Sequence, residues 1–322
     1  MKTALITGIN GQDGILLSKF LIKKKYRIIG IDKTKKRKKN SLKIKIINTD
    51  LSIKRNILKI INKYKPDEIY HLAENSIDNR KKIYSINRLI LSNKILFNLL
   101  DANLVNKAKF FYAASSEVFG EPTEYPQNEN TAFNPRSLYG LIKVSGVHLV
   151  RYYRKYHGLF VCSGFLYNHE SHLRKNVFLI KEVINQAFQI KKKRRKFFKI
   201  KDPYVYRDWS DARDFVSAFW KILSYKLPDD YVVSSSKSRN VLEVMKTVCE
   251  ILDLKLSNHI KVRKFKNGNN KTFLVGNNSK LKKIGWKSKI TFRNMILDII
   301  NSKKMKVIAG SKGYLDKKLL KS

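Results

Sequence analysis

The first fourteen residues read MKTALITGINGQDG (1–14) and decide the fold. Residues 4–6 form a short apolar run that is typical of a buried strand, and Gly8, Gly11 and Gly14 follow at three-residue spacing. Residues 15–22 then carry one apolar face at helical spacing. This order predicts the phosphate-binding start of a dinucleotide fold, because glycines let backbone N–H groups approach a pyrophosphate at a helix N-terminus. The alternative is a tight strand–helix turn that binds nothing.

The length and composition fit a folded globular protein. The chain has 322 residues, of which 43% are hydrophobic, enough for one large domain or two small ones. It has no run of about 18 apolar residues, so we predict no membrane span. The N-terminus lacks the long apolar centre of a signal peptide, so we expect a cytoplasmic protein. Cys162 and Cys249 lack metal-ligand spacing and suit a reducing compartment, so no metal site is predicted.

The net charge of +43 is extreme and comes from 68 Lys and Arg against 25 Asp and Glu. Such a balance points to nucleic acid or an acidic membrane. The lysines, however, are spread along the chain, and its richness in Lys, Ile and Asn is what an AT-rich coding sequence favours. We therefore favour compositional drift over a nucleic-acid site. An anionic substrate such as a nucleotide sugar would also be steered by this field.

Hydrophobic patterning predicts strands that alternate with helices. Strands are expected at 4–6, 26–32, 44–49, 68–72, 109–114, 160–166 and 230–234, and helices at 15–22, 53–64, 86–103, 141–157, 177–190, 210–224, 241–252, 279–284 and 291–302. The alternation favours an α/β protein with a Rossmann-type doubly wound parallel sheet. We expect residues 1–168 to form the NAD(P)-binding domain and 169–322 a smaller substrate-binding lobe, with segments around 205–235 returning to the first domain.

Four polar residues suggest chemistry at the carboxyl edge of this sheet. Tyr139 and Lys143 are four residues apart on one helix face, where a lysine ammonium would lower the tyrosine pKa toward neutral and let it exchange a proton with a substrate hydroxyl. Ser115 and Glu117 follow the fifth strand, where parallel strands line a ligand crevice. Ser115 can bind the same hydroxyl, and Glu117 can remove a proton beside a carbonyl. The alternatives are a surface Tyr/Lys pair and a helix N-cap.

These motifs, in this order, resemble the extended short-chain dehydrogenase/reductase superfamily. Within it, the sequence is most similar to the GDP-mannose 4,6-dehydratase family. The resemblance spans roughly residues 3–300 and is carried by TGINGQDG (7–14), PDEIYHLA (66–73), SEVFG (116–120), NHES (168–171), RDW (207–209) and IGW (284–286). The Gly-Gln-Asp-Gly and Asn-His-Glu-Ser elements are the most specific to that family.

The resemblance implies a lyase with bound NADP that converts GDP-mannose to GDP-4-keto-6-deoxy-mannose. Tyr139, helped by Lys143 and Ser115, would take the proton of the sugar 4-hydroxyl while NADP takes hydride from C4. Glu117 would then remove the C5 proton, water would leave from C6, and hydride would return to C6. A 4-reductase or epimerase of the same superfamily is one alternative. A nucleic-acid-binding protein on a degenerate dehydrogenase fold is the other.

The resemblance also implies binding residues and assembly. Members of the family form dimers and tetramers, so a homo-oligomer is expected. By matching position, the cofactor contacts are Gly8, Asn10, Gly11, Gln12, Asp13, Gly14, Asp50, Leu51, Leu72, Ala73, Ser76, Tyr84, Lys143, His169 and Arg174, and the substrate contacts are Asn168 and Arg207.

The choice between NADP and NAD depends on the residues after the second strand. Asp32 lies about twenty residues beyond the glycines, where a dinucleotide fold places its ribose-binding carboxylate. The family carries an Arg-Arg pair near here for the 2′-phosphate of NADP, whereas residues 32–36 read Asp-Lys-Thr-Lys-Lys. Asp32 would repel that phosphate, but Lys33, Lys35 and Lys36 can pair with it as point charges. We predict NADP, with NAD as the alternative.

A second departure concerns the substrate diphosphate. The family's C-terminal Arg-Pro-x-Glu segment helps to hold it, and residues 266–270 read Lys-Asn-Gly-Asn-Asn instead. Arg263 or Lys264 is a candidate replacement.

Overall fold

The structure is a computed structural model that describes residues 1–33, 44–74, 86–260 and 273–304. Several predicted positions lie outside the described residues: Lys35, Lys36, Ser76, Tyr84, Arg263, Lys264 and the segment 266–270. No helix in the described ranges is long and apolar enough to cross a membrane.

Ten strands are present in the described chain. They are β1 (Thr3–Thr7), β2 (Arg27–Asp32), β3 (Ile44–Asn48), β4 (Glu68–His71), β5 (Lys109–Ala113), β6 (Val161–Leu166), β7 (Asn168–Glu170), β8 (Tyr206–Asp211), β9 (Asp230–Val233) and β10 (Ser238–Asn240). Seven of them form one sheet in the order β3-β2-β1-β4-β5-β6-β9, and every pairing in it is parallel. The Rossmann-type sheet predicted from the alternation is confirmed. The strand order reverses beside β1, so the crevice outside β1 and β4 is the expected ligand position.

The helices follow the strands as predicted, with small shifts at their ends. They are α1 (Gln12–Lys23), α2 (Lys54–Tyr64), α3 (Ile86–Asn106), α4 (Leu138–His157), α5 (Leu179–Lys191), α6 (Ala212–Leu223), α7 (Val241–Leu252), α8 (Ser279–Lys283) and α9 (292–304). Helix α4 begins three residues earlier than predicted, because the Ser137 hydroxyl accepts a hydrogen bond from Gly140 N and caps it. It ends at Gly158, whose φ of +61° is left-handed.

A second, three-stranded sheet was not predicted. Its order is β10-β8-β7, with β7 parallel and β10 antiparallel to β8. The sequence predicted a helix from residue 210, but Ser210 pairs with His169 of β7 and α6 begins only at Ala212. The reason is local: the Asp211 carboxylate accepts a hydrogen bond from Arg213 N and caps the helix at that point.

Two apolar cores divide the described chain. The larger one is built from both faces of the seven-stranded sheet and includes α6, β9 and Trp286. The smaller one lies among α5, α7 and α9, with Trp209 of β8. Since β7 and β8 run between these cores, they carry side chains to the region where the two cores meet. The domain boundary after residue 168 stays a prediction.

Candidate active site

The glycine turn between β1 and α1 brings the backbone close to the end of β4. Gly8 has a φ of +71°, and a Cβ added to it would lie 2.9 Å from the backbone N and Cα of Ala73. A Cβ on Gly14 would lie 2.4 Å from Gly8 O, so α1 packs directly on the turn. Only glycine fits either position.

The N-terminus of α1 fits the pyrophosphate of a dinucleotide. Gly11 is its N-cap residue, and no side chain of the described residues caps it. The amide end of α1 therefore presents its N–H groups and the positive end of its dipole to an anion. The Asp32 carboxylate lies beside the turn, where it accepts a hydrogen bond from Asn10 N at 3.2 Å. This is the position expected for a carboxylate that binds ribose hydroxyls.

Three other predicted cofactor positions have clear local roles. The Asp50 carboxylate accepts a hydrogen bond from Ser52 N at 2.8 Å, and this bond lowers the pKa of Asp50. Asp50 therefore caps the turn before α2. Leu51 is buried in the larger core. At the end of β4, Ala73 N donates to Thr7 Oγ1 at 3.1 Å, which ties Ala73 to β1.

The four predicted catalytic residues converge on one cavity of about 200 Å³ at the carboxyl edge of the sheet. Predicted binding residues from three separate segments also line it. The lining includes Ser115, Glu117, Tyr139 and Lys143, together with Asp13, Leu72, Asn168, His169 and Arg174. The remaining glycine-turn residues and Arg207 lie outside its wall.

Ser115 connects the two sides of this cavity. Its hydroxyl accepts a hydrogen bond from Glu117 N at 3.2 Å and so caps a short 3₁₀ turn. It also shares a hydrogen bond with the Tyr139 side chain. The N-cap alternative and the predicted role beside Tyr139 are therefore compatible.

The predicted effect of Lys143 on Tyr139 is wrong for the chain alone. Burial raises the pKa of Tyr139 above its ordinary value and the charge of Glu74 raises it further, while the hydrogen bond with Ser115 acts in the opposite direction. The Lys143 ammonium lies 5.6 Å from the Tyr139 ring centroid. It donates instead to Ala113 O at 2.9 Å and lies 3.8 Å from a Glu74 carboxylate oxygen. Tyr139 is therefore a neutral phenol in the protein by itself.

His169 forms an ion pair with Asp13 across the cavity. Its Nδ1 lies 2.8 Å from Tyr167 O and its Nε2 lies 2.9 Å from Asp13 Oδ2. A carbonyl oxygen and a carboxylate oxygen both accept hydrogen bonds, so each ring nitrogen of His169 faces an acceptor. Burial raises the pKa of Asp13, but the charge and hydrogen bond of His169 outweigh it, and the net pKa is lowered. The His169 ring also stacks on Phe215 at 4.4 Å.

Gln12 and Ser171 complete this link. Gln12 Nε2 donates to His169 O at 3.1 Å and to Asp13 Oδ1 at 3.2 Å. Ser171 Oγ donates to Gln12 Oε1 at 2.8 Å. The Gly-Gln-Asp-Gly and Asn-His-Glu-Ser elements therefore bind each other, which gives a physical reason for their joint presence.

Arg174 lies at the same wall. Its guanidinium stacks on Phe178 at 3.7 Å and lies 3.6 Å from Glu170. The Glu170 carboxylate is buried, and this burial raises its pKa while the charge of Arg174 lowers it.

Sequence reasoning predicted Arg207 as a substrate contact but missed Arg136 and Arg239 near it. Arg207 of β8 is directly opposite Arg239 of β10, so both side chains are on one face of the small sheet. Burial lowers the pKa of Arg207, the charge of Arg136 lowers it further, and Glu117 raises it. Arg239 lies over the Phe292 ring at 4.5 Å. The three-residue strand β10 is too short to show a period, which is why the pattern did not predict Arg239.

Glu74 lies between the predicted cofactor contacts Ala73 and Ser76, but no role beside Lys143 was predicted for it. It follows the end of β4 by three residues, at the same sheet edge as Ser115 and Glu117. It lines the cavity and lies 3.8 Å from both Lys143 and Arg88.

A larger cavity of about 490 Å³ lies apart from all predicted site residues. Its charged groups pair with one another: Asp230 binds Arg151 at 2.6 Å and Arg154 at 2.5 Å, and Asp229 binds Lys280 at 2.5 Å. We interpret this cluster as structural.

Comparison with known protein families gives a match that spans most of the chain. The family model for GDP-mannose 4,6 dehydratase matches residues 5–299. The GDP-mannose 4,6 dehydratase 1 of Arabidopsis thaliana is 30% identical over 98% of this chain and 94% of its own length. The human GDP-mannose 4,6 dehydratase is 30% identical over 94% of this chain and 91% of its own length.

Solved structures share the fold at low sequence identity. A UDP-glucose 4-epimerase from Thermotoga maritima, solved with UDP-glucose, superimposes with a TM-score of 0.83 at 16% identity, over 95% of this chain and 99% of that one. A dTDP-glucose 4,6-dehydratase from Bacillus anthracis, solved with NAD, superimposes with a TM-score of 0.80 at 18% identity, over 95% of this chain and 97% of that one.

The ion pair of Asp13 with His169 leads to a stability prediction. Asp13→Asn keeps the shape but replaces the carboxylate that pairs with His169 Nε2 by a neutral amide, so we expect the free energy of unfolding at pH 7 to fall by about 1–2 kcal/mol. Because folding lowers the pKa of Asp13, the ionised carboxylate stabilises the folded protein fully at pH values above the ordinary pKa of an aspartate. That contribution is lost as the pH falls through the lowered value, so the difference between the two proteins shrinks below about pH 4.

Urea unfolding at pH 7 and at acidic pH measures both effects. Asp298→Asn is the matched control, since Asp298 also pairs with a cation, Arg213, but is half exposed. We expect it to change the unfolding free energy by less than about 0.5 kcal/mol. Equal effects of the two variants at pH 7 would contradict the importance of the buried pair.

Proposed function

The chain belongs to the GDP-mannose 4,6-dehydratase family and is a nucleotide-sugar 4,6-dehydratase, and we propose that four residues carry its reaction: Ser115, Glu117, Tyr139 and Lys143. The observation that carries this proposal is their convergence on one cavity from β5, α4 and the turns beside them. GDP-mannose is the proposed substrate, because the relatives that match nearly the whole chain are named for it. Family membership favours the dehydratase over a reductase, an epimerase or a nucleic-acid-binding protein.

Tyr139 is the proposed acceptor of the proton from the sugar 4-hydroxyl. The Ser115 hydroxyl is hydrogen-bonded to it, so both groups can contact the same substrate oxygen. Burial raises the pKa of Tyr139, so the chain alone keeps it as a neutral phenol, which cannot accept a proton. Lys143 must therefore supply the positive charge that stabilises the phenolate, the form that accepts the proton. When bound, the dinucleotide supplies the chemistry of a hydride acceptor and donor.

Glu117 is the proposed base at C5. A keto group at C4 acidifies the C5 hydrogen, and a carboxylate on the wall of the cavity can remove it. The electron pair of the broken C5–H bond then forms the C5–C6 double bond, and the 6-hydroxyl leaves as water with the proton that Glu117 has taken from C5. Glu117 is half-buried, which keeps it in contact with both substrate and solvent.

Arg207 and its neighbouring arginines support a diphosphate-bearing substrate. The charges of Arg136 and Glu117 act on Arg207, and Arg239 of β10 is paired in register with Arg207; arginine is suited to bidentate contacts with phosphate. The sequence predicted Arg207 as a substrate contact, whereas it did not predict Arg239. Asn168, on the cavity wall, is the proposed contact to the sugar end of the substrate.

The reaction is tested by the mass of the product. Incubation with GDP-mannose is expected to give a product lighter by one water, with no net consumption of cofactor. Tyr139→Phe removes the proton acceptor and should slow the reaction by about 100-fold or more. Glu117→Gln should stall after oxidation at C4, with the sugar keeping its 6-hydroxyl and an equal amount of the dinucleotide left reduced.

Glu121→Gln is the control for this prediction, because Glu121 is an exposed carboxylate of the same loop. It should leave the rate unchanged. Full dehydration by Glu117→Gln would show that another group removes the C5 proton.

NADP is the proposed cofactor, although NAD is present in the solved dehydratase from Bacillus anthracis. Asp32 beside the glycine turn favours NAD, while the neighbouring exposed Lys33 offers a charge to a 2′-phosphate. The proposal rests on the family resemblance together with this lysine.

Titration calorimetry, which measures how tightly NADP and NAD bind to the protein, tests the choice between the two cofactors. We expect NADP to bind at least about tenfold more tightly than NAD, and Lys33→Ala to weaken NADP alone because it removes a charge from the 2′-phosphate. Lys23→Ala, at the exposed end of α1, should affect neither ligand. Tighter binding of NAD would contradict the proposal.

A homo-oligomer is the proposed state in solution. Helices α3 and α4 pack together and carry many of the large apolar side chains that stay exposed in the described chain: Ile86, Ile90, Leu91, Phe97, Val105, Leu141, Tyr152 and Tyr156. An exposed apolar face of this kind marks an interaction site. A second copy of the chain is the proposed occupant, since two such faces are self-complementary about a two-fold axis.

The mass in solution tests this proposal. Light scattering should give at least twice the 37.6 kDa of one chain, and Ile90→Glu combined with Tyr156→Glu should reduce it to one chain, since burying a charge in an apolar interface is costly. Leu227→Glu is the control, because Leu227 is 69% exposed and lies outside α3 and α4. A monomeric wild-type protein would contradict the proposal.

Nucleic acid is not among the partners we propose, and we assign the excess of lysine to composition. A cytoplasmic location likewise remains a prediction from the sequence.

A further inference from the structure

Glu74 is a nearly buried carboxylate in the cavity that the proposed reaction does not use. Its side chain is 16% exposed, and the residue lies three positions after the end of β4. One carboxylate oxygen lies 3.8 Å from Lys143 Nζ, and the other lies 3.8 Å from an Arg88 guanidinium nitrogen and accepts a hydrogen bond from Ser92 Oγ at 3.3 Å. Glu74 therefore links the catalytic helix α4 to α3.

Lys143 needs a counter-charge because it is buried. Its side chain is 4% exposed, and its ammonium donates to the carbonyl of Ala113 at 2.9 Å. A buried ammonium is stable only when it is paired and hydrogen-bonded. Within the described residues, Glu74 is the carboxylate that lies within 4 Å of it.

We propose that Glu74 is a positioning residue that holds Lys143 and sets how much of its positive charge acts on Tyr139. The proposal rests on the assignment of Tyr139 as the proton acceptor. Glu74 keeps the ammonium at the Ala113 carbonyl, 5.6 Å from the Tyr139 ring centroid. Its negative charge also offsets the lysine, so the phenol keeps its proton until the site is filled.

The charges around Lys143 and Tyr139 agree with the proposed role of Glu74. Burial raises the pKa of Tyr139, Glu74 and Glu117 raise it further, and Ser115 and Arg174 lower it. Burial lowers the pKa of Lys143, Glu74 raises it, and Arg88 lowers it. The other titratable groups that face this pair are Tyr112 and His71, beside Asp13, His169 and Glu170 on the same side of the molecule.

The directions in which Glu74 and Arg88 change the pKa of Tyr139 distinguish an electrostatic role of Glu74 from a purely structural one. Replacing Glu74 by glutamine keeps the size and the hydrogen bond with Ser92 but removes one negative charge. The phenolate then becomes easier to form, so the pKa of Tyr139 falls. Removing Arg88 takes away a positive charge from the same cluster and should act in the opposite direction. A structural pair would change stability without this reversal of sign.

The pH dependence of dehydration is the first test. The acidic limb of the rate should move to lower pH by about one unit in Glu74→Gln, to higher pH in Arg88→Gln, and should stay near the wild-type position in Glu74→Asp, which keeps the charge. Glu129→Gln is the matched control: Glu129 is a partly buried carboxylate that accepts a hydrogen bond from Val232 N in the other cavity. Its profile should equal that of the wild type.

The second test needs neither substrate nor turnover. Protein labelled with ¹³C at the tyrosine Cζ gives a Tyr139 resonance that is assigned by its loss in Tyr139→Phe. Ionisation of Tyr139 should begin at lower pH in Glu74→Gln than in the wild type and at higher pH in Arg88→Gln. If neither variant shifts the ionisation of Tyr139, or both shift it in the same direction, the proposal is wrong.

This design keeps the two proposals distinguishable. A wild-type protein that fails to dehydrate GDP-mannose would contradict the proposed substrate, while the tyrosine titration would still decide the role of Glu74. If Glu74→Gln does not fold, the sign of the shift in Arg88→Gln decides it.

Discussion

The close approach of the glycine turn to the end of β4 is the constraint on which the rest of the site depends. The backbone at Gly8 passes so near to Ala73 that a Cβ would be 2.9 Å away, and the left-handed φ of Gly8 turns the chain toward α1. This contact joins the two strands at which the sheet order reverses. It sets the N-terminus of α1 beside the crevice, and it leaves the next residue of that edge, Glu74, on the cavity wall. The anion site and the charge next to Lys143 thus follow from one backbone contact.

A second dependence joins the two apolar cores. The ion pair of Asp13 with His169 and the hydrogen bonds of Gln12 with Ser171 hold the turn of the large sheet to β7 and the residues after it. Because β7 pairs with β8, and β8 with β10, the same contacts position Arg207 and Arg239 relative to the proposed dinucleotide site. Hydrogen bonds between buried groups give this arrangement a defined geometry.

The charge balance inside the cavity differs from that of the whole chain. The protein has a net charge of +43, yet the cavity wall alternates acids and bases: Asp13 with His169, Glu74 with Lys143. Buried charges are costly unless they are paired, so each functional cation near the proposed chemistry has a carboxylate beside it. The excess of lysine lies mainly where water screens it, so it has little influence on the short-range ion pairs inside the cavity.

The amino-acid sequence alone predicted the order of strands and helices along the chain, the parallel sheet and the edge at which Ser115, Glu117 and Tyr139 would meet. It could do so because apolar period, glycine spacing and helix caps are local signals, and because parallel strands place their carboxyl ends together. It did not predict β7, β8 and β10, whose short segments pair only across long separations. It also predicted the wrong direction for the pKa of Tyr139. The charge that acts on a buried phenol depends on Glu74, sixty-five residues away in the chain, and only the tertiary structure decides which distant groups share a low-dielectric site.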